Sequence, residues 1–246
     1  MFRVSAMGEV QGRGGAKLVQ NLGKKKVVII TVKNDFGQAL AAGFKEAAPK
    51  LDLSIVNEYE YGMPDRQFGP LVSKVKADNP EAIYASGYYF NAGPLVSQLR
   101  AAGVTAPIIG QEGYDSDKFI EIAGPASEGT LVTTSLDRDS DAPATKSFLA
   151  DYRKATGAGA DMVAAASFTA TNVVIEGLKK TGGKGGEPLK LAMAAGSYDT
   201  PIGKLAFNDL HEVKKDLQVQ IVKDKAFRRH SVISDPVLLA PPSKAK

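Results

Sequence analysis

A chain of 246 residues with 43% hydrophobic and 24% charged residues has the balance of a soluble globular protein, long enough to bury a sizeable core in one large α/β domain or two modest lobes. No stretch approaches the roughly 20 apolar residues that a bilayer-spanning helix needs, and the absence of cysteine excludes disulfides, thiolate catalysis and cysteine-ligated zinc. The net charge of +4 is mild, with basic residues scattered apart from the lysine triplet at 24–26. The two histidines, His211 and His230, show no metal-ligand spacing, so neither nucleic-acid binding nor a histidine-based metal site is expected.

The opening segment "MFRVSAMGEVQGRGGAKLVQ" has no basic head followed by an apolar stretch, so no secretory signal is expected in the chain as given. Short runs rich in Val and Ile follow, separated by helical lengths, as in a parallel sheet with crossover helices. The predicted series is helix 9–22, strand 26–32, helix 35–50, strand 54–58, helix 65–77, strand 82–86, helix 92–102, strand 107–110, helix 116–123 and strand 129–133. Gly8 and Gly12 are read as marking a loop and a helix start, because "QGRGGAK" lacks the preceding strand that a dinucleotide fingerprint requires.

After Ser135 the pattern changes. "LDRDSDAP" reads as a charged turn, and helices are predicted over 142–155, 162–180 and 188–194, with the flexible loop "TGGKGGEP" before the last. Alternation predicts antiparallel strands over 204–207, 217–222 and 227–233, and then a polar tail. The apolar faces in "SFLADYRKA" and "SFTATNVVIEGL" need a surface to lie on, yet no further parallel strand follows them. They must pack on the first sheet or on a sheet supplied from outside this chain.

In an open doubly wound sheet, ligands bind outside the carboxyl ends of the strands, where strand order reverses. With the order 2-1-3-4-5, the strand ends "TVKNDFG", "YASGYYF" and "PIIGQEGY" share one edge, which brings Phe36, Tyr88 and Glu112 together. An aromatic wall, a hydroxyl and a carboxylate suit a small ligand with an ammonium group and an apolar body. Tyr89 and Tyr114 are further candidates beside them. No nucleophile with an adjacent base, no second carboxylate paired with Glu112 and no metal spacing is apparent, so a binding module is favoured over an enzyme and no cofactor is expected.

The segments "FRVSAMGEVQG", "KKVVIITVKNDFGQALAAGFK", "FGPLVSKVKADNPEAIYASGYYFNAGPLVSQLRAAG", "PIIGQEGY", "IAGPASEGTLVTT" and "DTPIGKLAFND" resemble, in order and across nearly the whole chain, the type I periplasmic substrate-binding proteins of ABC importers, typified by leucine/isoleucine/valine-binding proteins. The resemblance implies an α/β fold with one complete doubly wound lobe, 9–134 plus 205–235, an incomplete and mainly helical lobe, 135–199, and a tail, 236–246. It also implies that Tyr88 and Glu112 hold the α-ammonium of an amino acid, with Phe36 in place of the family's more usual turn tyrosine. The expected partners are a small amino acid or related amine or amide ligand and a membrane permease, and the expected location of the intact protein is the periplasm. Family members have about a third of the mature chain before the "FRVS" segment, including a serine and threonine region that binds the ligand's carboxylate. Self-association of the shortened chain is therefore a further expectation. The alternatives are a cytoplasmic ligand-sensing regulator with the same fold and a truncated form that no longer binds ligand.

Overall fold

The computed structural model describes residues 1–244. Its first part comprises α1 (Gly8–Asn21), β1 (Lys26–Val32), α2 (Asp35–Ala47), β2 (Ser54–Tyr61), α3 (Gly69–Asp78), β3 (Ala82–Ala85), α4 (Tyr89–Ala101), β4 (Ile108–Gly110), α5 (Asp117–Ala123) and β5 (Leu131–Thr134). There follow α6 (Pro143–Thr156), α7 (Met162–Thr181), α8 (Glu187–Ala194), β6 (Ser197–Thr200), β7 (Gly203–Ala206), β8 (Leu217–Lys223) and β9 (Ala226–Ile233). Seven strands form one sheet in the order β2-β1-β3-β4-β5-β8-β9. The first five are parallel, in the order expected from the sequence, and β8 and β9 close the edge as antiparallel strands.

The apolar run Val27–Ile30 of β1 follows from burial on both faces. Val28, Ile30 and Val32 enter a core with Val72 of α3, Leu95 and Leu99 of α4 and Phe119 of α5. Val27 and Ile29 enter the opposite core with Leu18 of α1 and Leu40 and Phe44 of α2. Side chains alternate across a strand, so only a sheet covered on both sides makes every position apolar. Each buried Val or Ile contributes about 1.5–3 kcal/mol relative to exposure, which makes this sheet the rigid part of the molecule.

Gly12 does not mark a helix start. It lies within α1, where an added Cβ would stand 2.1 Å from the Leu40 carbonyl oxygen, while a Cβ on Gly43 of α2 would meet the Glu9 oxygen at 2.0 Å. The glycine-rich run therefore lets two helix backbones pack directly on each other. Two helix starts also differ from expectation. α3 begins at Gly69 rather than 65, with Pro70 in its first turn and the Phe68 N–H donated to Gln98 Oε1 at 2.7 Å. α4 begins at Tyr89 rather than 92, which places Tyr88 at the helix cap.

The helices α6, α7 and α8 do not lie on the large sheet. They pack around a separate hairpin in which β6 pairs antiparallel with β7, from Ser197 opposite Ala206 to Thr200 opposite Gly203. Phe2 joins this unit, edge-on to Phe207 at 4.9 Å and stacked on His211 at 4.2 Å. The segment 204–207, expected to return to the large sheet, is thus mostly β7, and the return comes at Leu217. Alternation shows that such a segment is half-buried but cannot choose its partner strand. No helix among the described residues is long and apolar enough to cross a membrane.

Candidate ligand-binding site

The carboxyl ends of β1, β3 and β4 are wired to one another by side chains. Beyond β1, Asn34 caps α2 by accepting from the Gly37 N–H at 2.8 Å, and its Nδ2 donates to the Tyr88 hydroxyl at 3.3 Å. Phe36 sits in the first turn of α2 with its ring centroid 5.5 Å from that of Tyr88. Tyr88 also stacks on Phe90 at 5.6 Å. Its loop turns on Gly87, with φ at 156°, where a Cβ would lie 2.0 Å from the Tyr61 hydroxyl oxygen. That hydroxyl donates to the Ser86 carbonyl at 2.8 Å, and Ser86 Oγ accepts from the Val32 N–H at 3.1 Å, which ties the loop to β1.

Glu112 opens a single 3-10 turn, Glu112–Tyr114, directly after β4. The adjacent Gln111 accepts from the Gly113 N–H at 2.8 Å and donates to the Gly87 carbonyl at 3.1 Å, which joins this turn to the loop bearing Tyr88. Glu112 is only 7% exposed. One carboxylate oxygen accepts from Ser135 Oγ at 2.8 Å, at the end of β5, and the other from Gln11 Nε2 at 3.0 Å, on α1. Burial pushes its pKa up, against the opposing pull of the Ser135 hydroxyl, the Lys215 ammonium and Gln11. Lys215 lies in the segment entering β8 and donates to the Ile202 carbonyl at 2.7 Å; burial pulls its pKa down and the Glu112 charge works the other way. A carboxylate has about four acceptor positions and Glu112 uses two here, so it retains capacity for further donors.

Asp115 is also buried, but it is satisfied locally. It accepts from Thr134 Oγ1 and pairs with Arg138, whose guanidinium lies over the Phe227 ring at 4.8 Å. This pair fastens the crossover after β5 to the sheet.

The five residues predicted from sequence separate into two groups. Phe36 and Tyr88 are in ring contact, and Glu112 is tied to the Tyr88 loop through Gln111. Tyr89 is 38% exposed and meets Phe90 edge-on at 5.3 Å. Tyr114 is a correction: it is 0% exposed and packs on Phe119 at 5.2 Å in the core. The 3-10 turn folds it back over Gly110, where a Cβ would come within 2.3 Å of its ring, so a side chain expected beside Glu112 serves packing. Gln11, Asn34, Ser135 and Lys215 were not found from sequence. The sequence signals for them are a polar Gln11 beside Val10 in α1 and an asparagine, Asn34, directly before α2, a residue type that caps helices.

A well-formed concavity lies elsewhere. A cavity of about 750 Å³ opens between α6, α7 and β6, with Phe148, Tyr152, Phe168, Val173 and Tyr198 in its walls. None of the predicted residues lines it. Its walls are mainly helix faces, whereas the sheet edge brings a buried carboxylate, a hydroxyl and an aromatic ring together, so recognition chemistry favours the sheet edge. Among the described residues no group of His, Cys, Asp and Glu is arranged to hold a metal ion.

Comparison with known proteins agrees with this architecture. A leucine-, isoleucine-, valine-, threonine- and alanine-binding protein of Pseudomonas aeruginosa is 26% identical over 215 residues, which cover 87% of this chain and 57% of that protein. A leucine-binding protein structure from Thermotoga maritima matches with a TM-score of 0.86 and 26% identity, over 94% of this chain and 67% of that one. A solute-binding protein of an ABC transporter from R. palustris, in complex with benzoate, shares the fold with a TM-score of 0.88 and 23% identity, over 94% of this chain and 64% of that one. The chain thus spans 57% of the length of the curated Pseudomonas relative. The periplasmic binding protein family model matches residues 1–226, and the family is one of binding proteins, not of enzymes. With the family's fold present and its model matched over most of the sequence, the chain belongs to the periplasmic binding protein family.

Proposed function

We propose that this protein is the solute receptor of an ABC importer and captures a small amino acid, branched-chain or a related amine or amide, at the carboxyl edge of its large sheet. The observation that supports this reading is Glu112: a carboxylate buried at the strand ends, held by two neutral donors, with acceptor capacity left over and an aromatic wall of Phe36 and Tyr88 one loop away. A ligand ammonium would offset the cost of that burial, and an aliphatic side chain would cover the ring faces. The receptor would work in the periplasm, and closure of a second lobe over the ligand would be the state read by the membrane permease.

Calorimetry with leucine, isoleucine and valine tests the reading. Glu112→Ala should cost about 2–5 kcal/mol of binding by leaving the ligand's charge without its partner. Tyr88→Phe should cost about 0.5–1.5 kcal/mol, the loss of one neutral hydrogen bond. Unchanged affinity of Glu112→Ala for every amino acid bound by the wild type would remove Glu112 from the site.

A further inference from the structure

Three segments of chain join the helical unit to the large sheet, and the packing marks where each changes sides. In the first, Val4 packs with the helical unit and Ala6 already lies in a core of the large sheet. In the second, Thr134 ends β5, and Leu136 is 0% exposed in the helical core with Phe148 and Ile202, so Ser135 is the residue at the change. In the third, Val213 belongs to the helical unit and Leu217 to the sheet.

Glu112 is hydrogen-bonded to the first two crossings. Ser135, itself buried, donates its hydroxyl to one carboxylate oxygen at 2.8 Å. Gln11 links the other oxygen to the first crossing: its Nε2 donates to the Ala6 carbonyl at 2.9 Å and to Glu112 at 3.0 Å. Both of its N–H groups are then committed, and this fixes the amide, since a turned amide would set its oxygen against two other acceptors. The Gln11 Oε1 atom is buried with no partner among the described residues. An unpaired buried acceptor is a cost. A methionine would fill the same space without that cost, so the glutamine is explained by the bridge it makes. The third crossing, 214–216, makes no hydrogen bond to Glu112 among the described residues; Lys215 there donates to the Ile202 carbonyl.

We propose that Gln11 and Ser135 are positioning residues of the solute site: each holds one oxygen of Glu112 from a different crossing, so the orientation in which Glu112 meets a ligand is set by how these two segments join the units. The inference rests on the reading of the sheet edge as that site. Neither residue has to touch the ligand, because each acts through the carboxylate. By the reciprocity of linked equilibria, a ligand ammonium that favours one orientation of the carboxylate favours one arrangement of the two crossings. Both donors also favour the ionised carboxylate, in opposition to burial. The charged groups that act on Glu112 are Lys215, in the third crossing, and Asp115, directly after its own turn. Every variant below leaves both in place.

The test is calorimetry with leucine on the wild type, Ser135→Ala, Ser135→Thr, Gln11→Met and Glu112→Ala, beside a ligand-free ¹³C NMR titration of the Glu112 carboxyl. Ser135→Ala and Gln11→Met should each weaken leucine by about tenfold, the scale of one hydrogen bond to a charged group. Ser135→Thr keeps the hydroxyl and should stay within about threefold of the wild type. In the titration, Ser135→Ala and Gln11→Met should each move the Glu112 carboxyl upward, because each removes a donor that favours the charged form, and Ser135→Thr should leave it in place. Full leucine affinity in either Ser135→Ala or Gln11→Met overturns the proposal, as does a loss in Ser135→Ala that Ser135→Thr does not restore. Weakened leucine with an unmoved titration marks a merely structural residue and overturns it as well. Glu112→Ala separates the two readings. If it weakens leucine while Ser135→Ala and Gln11→Met do not, only the positioning role fails; if it leaves leucine unchanged, or the wild type does not bind leucine, the reading of the sheet edge fails and the positioning role with it.

Discussion

α4 and α7 are both rich in apolar residues, and they are buried in different ways. α4 places Ala92, Leu95, Val96 and Leu99 at 0% exposure against the large sheet, whereas α7 leaves Val163, Phe168, Val174 and Ile175 between 38% and 60% exposed. The difference lies in what each helix has to lie on. α4 meets β1 and β3 side chains that are themselves buried, while α7 shares a two-stranded hairpin with α6 and α8 and borders the cavity of about 750 Å³. A helix in a protein draws most of its stability from the surface it covers, so the same type of element is secure in one unit and conditional in the other. The candidate site stands on the secure unit, where the strand ends that carry Phe36, Tyr88 and Glu112 are fixed by the core beneath them.

The largest test of this contrast pairs two phenylalanines. Phe44 is 0% exposed and stacked on Tyr84 at 4.6 Å, so Phe44→Ala should cost about 3–5 kcal/mol in urea unfolding. Phe168 lines the open cavity and is 45% exposed, so Phe168→Ala should cost less than about half as much, because much of its ring is already in water. Equal losses would break the contrast. A glycine pair comes next. Gly12→Ala drives a Cβ into the Leu40 backbone and should destabilise by about 1–3 kcal/mol, although helix propensity alone favours alanine by about 1 kcal/mol. At Gly177 of α7 the obstructing atoms are a Leu189 methyl and the Cγ of the flexible Met193 side chain, which can move, so Gly177→Ala should change stability by no more than about 0.5 kcal/mol or increase it.

A smaller effect separates the site from the core around it. Burial raises the Glu112 pKa above its ordinary value, so within that window the folded protein holds a proton that the unfolded chain has released. Its contribution to stability therefore falls as pH rises through the window. Glu112→Gln removes that slope, and the difference in melting temperature, variant minus wild type, should become more positive from about pH 5 to about pH 8. A difference independent of pH would show that the carboxylate pays no burial penalty. The smallest effect belongs to the exposed helix face: Val174→Ser should alter unfolding free energy by less than about 0.5 kcal/mol, since that side chain is already 38% exposed.

Much of the large unit was legible because its patterns are local. β1 and its neighbours read as short Val- and Ile-rich runs, and the parallel order placed Phe36, Tyr88 and Glu112 on one edge before any contact was known. The hairpin was not legible. Its first strand, Ser197–Thr200, is short and follows a glycine, and β7 has the alternation of any half-buried strand. Tyr114 was misplaced because a one-turn 3-10 segment reverses which way successive side chains point, and neither composition nor period reports that reversal.

From the sequence alone come the order and type of the elements of the large sheet, its coverage on both faces and the residues at the strand ends, because these depend on side-chain periodicity along a few consecutive residues. Only the tertiary structure decided that Glu112 is buried, that Gln11 and Ser135 hold its two oxygens, and that Lys215 supplies the nearby positive charge. Those partners lie 101, 23 and about a hundred residues away along the chain, brought in by segments that cross between two units. Local pattern carries no information about which distant polar groups will share a low-dielectric space, and that sharing sets the charge the site presents to a ligand.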